Sequence, residues 1–220
     1  MLILKSPHQK TQALCLLFHG YGATAANLKP IASLLQKAVP SITFVLPEAP
    51  RLKDGVPGWF SLHGLETRYE TKLCEKTLCH SLAKAATQWV ADHAVFLQTH
   101  AHRPLFLAGF SQGAMMALEC ARHHLKTDAV FSYAGGLHNA GMIPGITLLA
   151  PQNALFCHGK IDPVVPCQFS ETAHHHYQKQ GIPSTLMTTN GVEHWIDPSW
   201  LEKTAKIMKT VLEGPDKRPG

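Results

Sequence analysis

Residues 104–124 read PLFLAGFSQGAMMALECARHH. The opening Pro104–Ala108 is a continuous apolar run of strand length, and Ala114–His124 carries Ala, Met, Leu and Cys at helical spacing. A strand apolar at every position is one buried on both faces, as in a parallel sheet covered by helices on each side. Between strand and helix lies Gly109-Phe110-Ser111-Gln112-Gly113. Gly-x-Ser-x-Gly alone is a weak signal. At a strand-to-helix junction it is strong, because the sharp turn lifts the serine hydroxyl above the sheet edge and leaves room only for small flanking residues. The competing reading is a glycine-rich turn with an incidental serine.

Working outward, further strands are expected at Ala13–Phe18, Ile42–Leu46, Ala129–Tyr133, Ala154–Cys157 and Ser184–Thr188, with Met1–Leu4 as an edge strand. Helical patterns occupy Ala25–Ala38, Thr71–Gln98, Gln112–His124, Gln168–Gln180 and Ser199–Leu212. This alternation predicts an α/β protein with a mostly parallel central sheet and helices on both faces. Pro47–Gly64, rich in Pro and Gly, reads as a long loop. At 220 residues the chain is expected to form one domain, with 213–220 as a frayed tail.

A strand–Gly-x-Ser-x-Gly–helix elbow is the mark of the α/β-hydrolase fold, where an acid and then a histidine follow the serine along the chain. Serine is a poor nucleophile until a base takes its proton, and the base needs an acid to fix its tautomer. The later acids are Glu119, Asp128, Asp162, Glu171 and Glu193. Glu119 and Glu171 fall in helices, Asp128 at the wrong end of its strand, and Glu193 next to the best histidine. Asp162 remains, in the loop after Ala154–Cys157 at the carboxyl edge where such sites are built; its bland reading is a turn aspartate before Pro163. Of the later histidines, His174, His175 and His176 are consecutive on a helix and point in different directions. His194, in the loop before the last helix, is the expected base. The oxyanion donors are expected to be the backbone N–H groups of Gln112, after the nucleophile, and Tyr21, in the glycine-bearing loop after Ala13–Phe18. His19 precedes the serine, the wrong order for a base, and is read as bracing that loop by side-chain hydrogen bonds.

Composition excludes several classes. No apolar run reaches the roughly 18 residues a membrane span needs. The apolar start at Met1–Leu4 is too short for a signal peptide, so a cytoplasmic location is expected. The six cysteines form no CxxC pair, which argues against a metal or redox site. The formal charge of +5 is scattered, without a basic run, so nucleic acid is not an expected partner. Weak attraction to an anionic membrane or acyl-carrying partner is compatible with that charge; an ordinary solvated surface is the favoured reading.

With these residues placed, the chain resembles the phospholipase/carboxylesterase family, which includes acyl-protein thioesterases and small bacterial carboxylesterases. Four blocks carry the resemblance: Leu17–Ala23, Phe44–Pro50 with Trp59-Phe60 downstream, Gly109–Gly113, and His158–Pro166. Tyr21 resembles the bacterial branch. Ala114 stands where the family usually has glycine, and Asn27 where it usually has an acid. The resemblance implies a serine esterase or thioesterase with the triad Ser111, Asp162 and His194, without cofactor or metal, and the short spacing between the blocks leaves no room for a large lid domain. It places Trp59 and Phe60 beside the acyl pocket; ordinary loop packing is the competing reading. The implied partners are small-molecule or lipid esters or an acylated protein, and a homodimer stays open. The main alternative is a catalytically silent α/β-hydrolase that binds a ligand or protein. Peptidase activity is a third reading, disfavoured without a propeller or lid.

Overall fold

The computed structural model describes residues 1–8, 10–62, 72–136, 149 and 151–214. Seven strands, β1 (Leu2–Leu4), β2 (Ala13–Phe18), β3 (Ile42–Leu46), β4 (Leu105–Phe110), β5 (Ala129–Tyr133), β6 (Ala154–Gly159) and β7 (Ser184–Thr189), form one sheet ordered β1-β3-β2-β4-β5-β6-β7. Every pairing is parallel except β1 with β3, where Leu2 faces Leu46. The helices are α1 (Ala25–Ala38), α2 (Lys72–Asp92), α3 (Ala94–His100), α4 (Gln112–His123), α5 (Gln168–Lys179) and α6 (Pro198–Glu213).

The apolar strands are covered on both faces, as their composition requires. Alternation along β2 sends Leu16 and Phe18 to one core and Ala13, Cys15 and Leu17 to the other. The first core is closed by α2, α4 and α5 through Trp89, Met116 and Tyr177; the second by α1 and α6 through Leu35 and Trp200. This is the α/β-hydrolase fold, and among the described residues no large lid covers it.

The expected single helix over Thr71–Gln98 is instead two. It breaks at His93, whose ring stacks on Trp89 with centroids 4.4 Å apart and whose Nδ1 lies 2.8 Å from the Trp89 carbonyl oxygen. That carbonyl also accepts His93 N–H at 3.2 Å, so ring and backbone share one acceptor where the first helix ends. Strands β4, β6 and β7 run one or two residues further toward their carboxyl ends than their apolar runs. Glu213 belongs to α6; 63–64 of the expected loop and 215–220 of the expected tail lie outside the described residues.

Candidate active site

From β2 the chain first moves to β3 on one side, then returns to place β4 on the other. That reversal opens a crevice at the carboxyl ends of β2 and β4, the usual ligand position in open α/β sheets. Phe18 pairs with Gly109 in register, so the loop after β2 and the turn after β4 leave the sheet side by side.

The turn is the expected elbow. Ser111 has φ 54° and ψ −120°, a left-handed conformation that L side chains rarely adopt and that costs of order 1–3 kcal/mol. Ser111 N–H donates to the Tyr133 carbonyl at 2.9 Å, anchoring the strained residue to β5. The flanking glycines are dictated by space. A Cβ on Gly109 would lie 2.2 Å from the Gly113 carbonyl oxygen, and one on Gly113 would lie 2.2 Å from that of Phe18. Ala114 fits because its methyl faces Gly135, where a Cβ would come within 2.6 Å of it.

Asp162, His194 and Ser111 converge from three loops. His194 Nδ1 lies 2.7 Å from Asp162 Oδ2, and His194 Nε2 lies 3.0 Å from Ser111 Oγ. Asp162 Oδ1 accepts the N–H groups of Val164 and Val165 at 2.8 and 2.9 Å, so the carboxylate is oriented by its own loop. Its side chain is wholly buried, whereas His194 is partly open and packs against the Phe110 ring with centroids 4.8 Å apart. The rejected acids sit elsewhere: Asp128 Oδ2 accepts Leu105 N–H at the start of β4, and Glu171 and Glu193 are exposed. Glu119 is buried along α4, and burial raises its pKa. His174, His175 and His176 lie on α5, away from this edge.

The loop after β2 lies against the elbow: a Cβ on Gly20 would be 3.4 Å from Ser111 Cβ. Wholly buried His19 braces this loop. Its Nε2 accepts Ala49 N–H at 3.1 Å, so Nδ1 carries the hydrogen donated to the Gly20 carbonyl at 2.8 Å. Burial holds the His19 pKa below its ordinary value, against smaller raising effects of that bond and of Glu48, in keeping with a neutral ring. Glu48 accepts Ala25 N–H at the start of α1, and Asn27 closes the same terminus by accepting from Thr24 N–H and hydroxyl. The amide thus does the bracing an acid would do. Gln112 opens α4, so its backbone N–H has no intrahelical acceptor.

The Gln112 side chain was not singled out by sequence reasoning. Its Oε1 accepts Trp59 N–H at 2.9 Å and its Nε2 donates to the Phe60 carbonyl at 2.7 Å. Trp59 Nε1 donates to the His19 carbonyl at 2.7 Å, and its ring meets Phe18 edge-on. Trp59 and Phe60 are therefore buried members of the core that tie the elbow to the loop after β2. His158, quoted only as part of its block, lies 3.2 Å from Asp162 Oδ2. Both contacts join residues distant in sequence, or a strand end to its loop, and neither leaves a periodic signal.

Among the described residues no group of three or more His, Cys, Asp or Glu could hold a metal ion. A cleft of about 440 Å³ opens at the opposite edge of the sheet, lined by Arg103, His124 and Lys126 among others; none of the triad candidates lines it.

The phospholipase/carboxylesterase family model matches residues 2–212. The chain belongs to the phospholipase/carboxylesterase family. Solved structures with the same fold span it almost end to end. Esterase PE8 is 26% identical, with 94% of this chain and 96% of that one covered and a TM-score of 0.81. Acyl-protein thioesterase 2 of Zea mays is 20% identical over 96% and 98%, with a TM-score of 0.72. A Bacillus cereus carboxylesterase is 18% identical over 94% and 92%, with a TM-score of 0.65. The last two identities speak to the fold alone. The chain is thus a member of an esterase-type hydrolase family.

Proposed function

We propose that this chain cleaves carboxylic esters or thioesters through an acyl-enzyme on Ser111. The observation that carries the proposal is the single imidazole of His194 spanning Asp162 at 2.7 Å and Ser111 Oγ at 3.0 Å. Asp162 Oδ2 fixes the hydrogen on Nδ1, which leaves the Nε2 lone pair facing the serine hydroxyl. Ser111 Oγ attacks the acyl carbon as Nε2 takes its proton. The Gln112 and Tyr21 backbone N–H groups bind the oxyanion that forms. His194 then returns the proton to the leaving alkoxide or thiolate, and water attacks the acyl-enzyme by the reverse path. The chemistry calls for no cofactor.

The substrate class is a small or lipid ester, or the thioester of an acylated protein. The absence of a large lid among the described residues favours short or medium acyl chains, with Trp59 and Phe60 supporting the wall beside the acyl group. The similar structures, an esterase, a thioesterase and a carboxylesterase, support the same range. No helix among the described residues is long and apolar enough to cross a membrane. A reducing, cytoplasmic setting is part of this proposal, supported by the thiols of Cys15, Cys120 and Cys157 buried in the core.

The test is hydrolysis of p-nitrophenyl esters from two to sixteen acyl carbons, with Ser111→Ala beside the parent. Removal of the nucleophile is expected to lower the rate by roughly 10⁴- to 10⁶-fold. The chain-length optimum then separates a small-ester enzyme from a lipid or thioester one. Equal rates in parent and variant, or none in either, would favour the silent binding module.

A further inference from the structure

Asp162 has a second imidazole beside it. His158, near the end of β6, is wholly buried. Its Nε2 lies 2.8 Å from the Val165 carbonyl oxygen and 3.2 Å from Asp162 Oδ2. Its Nδ1 lies 2.7 Å from Ser170 Oγ in α5, a hydroxyl that also meets the Gly135 carbonyl oxygen.

Counting hydrogens settles which ring nitrogen must be a donor. A carbonyl oxygen and a carboxylate oxygen only accept. A ring with its hydrogen on Nδ1 alone would aim the Nε2 lone pair at both of them, inside the protein, where a mispaired polar group costs most. Nε2 therefore carries a hydrogen. The other side fixes the charge, not this requirement: Ser170 Oγ has one hydrogen, so if it donates to the Gly135 carbonyl it accepts from Nδ1–H and the ring is doubly protonated, whereas a bare Nδ1 takes that hydrogen from Gly135.

We infer that His158 is a positioning residue for the hydrolysis proposed above, its Nε2–H holding Asp162 Oδ2 and the Val165 carbonyl together so that the carboxylate meets His194. The ring closes loop 159–165 from the inside, between the strand that launches the loop and the backbone that ends it. With it, Asp162 Oδ1 accepts the Val164 and Val165 N–H groups, and two imidazoles face Oδ2, His194 at 2.7 Å and His158 at 3.2 Å. Without it, Oδ2 is held only by the imidazole it has to orient. Burial keeps the His158 pKa below its ordinary value, opposed chiefly by the Val165 carbonyl and Asp162. Asp162 and His194 are the charged or titratable groups acting on it.

Two measurements on the full chain test this. The first is the ¹⁵N-resolved ring spectrum, with His158 assigned by the signal missing in His158→Gln. It should show Nε2 protonated, in the parent and in Ser111→Ala alike; an unprotonated Nε2 overturns the inference. This readout stands even if Ser111 is not the nucleophile. The second compares two variants kinetically. His158→Gln keeps an N–H donor for Oδ2 and should stay within about threefold of the parent kcat. His158→Leu should lose roughly 10- to 100-fold in kcat, as supporting partners of active groups typically do, with KM within about twofold. A folded His158→Leu at parent kcat, or a His158→Gln equally impaired at unchanged melting temperature, overturns the inference. Should His158→Leu fail to fold, the spectrum and the glutamine variant still decide it.

Discussion

Replacing Asp162 by asparagine changes one atom and should stop the reaction through a tautomer. Oδ1 keeps the two backbone N–H groups of Val164 and Val165, at 2.8 and 2.9 Å, so the amide oxygen stays there and the NH₂ group takes the place of Oδ2. That NH₂ then faces His194 Nδ1 at 2.7 Å and His158 Nε2 at 3.2 Å, donor against donor at both. Relief comes when His194 moves its hydrogen to Nε2. That hydrogen then points at Ser111 Oγ, 3.0 Å away, and the lone pair that should accept the serine proton is gone. Triads altered in this way lose about 10⁴ in kcat, which corresponds to about 5.5 kcal/mol of transition-state stabilisation. The loop itself should persist, since both backbone bonds survive. The assay is kcat on p-nitrophenyl butyrate at pH 7.5, with a urea unfolding curve on the same preparation. A variant within about tenfold of the parent kcat and equally folded would refute the assignment of Asp162 as the orienting acid.

Other outcomes follow from the same contacts. Gly113→Ala would put a Cβ 2.2 Å from the Phe18 carbonyl oxygen and 2.5 Å from that of His19, both backbone. It should cost roughly 1–3 kcal/mol or more in urea unfolding and abolish ester hydrolysis with it. Gln112→Ala spares the backbone donor but strands the Trp59 N–H and the Phe60 carbonyl; a loss of roughly 1–3 kcal/mol is expected from denaturation midpoints. Tyr21→Phe should keep kcat within about threefold, because the proposed donor is backbone; a fall of 10²-fold would assign the role to the phenol instead. Stability should fall on acidification from pH 7.5 to 5.5. Burial lowers the folded-state pKa of His19, His123, His124, His158, His174 and His176, with His123 pushed to about 4. Below about 6.5 the unfolded chain takes up protons that the folded one refuses, so stability is present above that pH and drains away below it. A urea midpoint unchanged between the two pH values would contradict this.

The strands were legible because being buried on both faces leaves apolar runs with sharp ends; β2, β3 and β5 begin and end where their runs do. Their extensions elsewhere, as in Phe110 and Gly159, come from pairing with neighbours across the sheet, which no local pattern records. The break at His93 was hidden for a similar reason. Apolar spacing continues through it, and the mark of the break is one ring bonding back to Trp89. Ser111, Asp162 and His194 could be proposed because chain order and strand ends suffice to bring them to one edge. The contacts of Gln112 with the 59–60 loop and of His158 with Asp162 needed coordinates. Glutamine and histidine serve many roles, and only distance to a partner tells which one is filled.

The account rests most directly on an acyl group passing through Ser111. Mass spectrometry after brief exposure to a fluorophosphonate should find one adduct, on the peptide carrying Ser111, with labelling lost in Ser111→Ala and strongly slowed in His194→Ala. An adduct on another residue, or none on the folded parent chain, would contradict it.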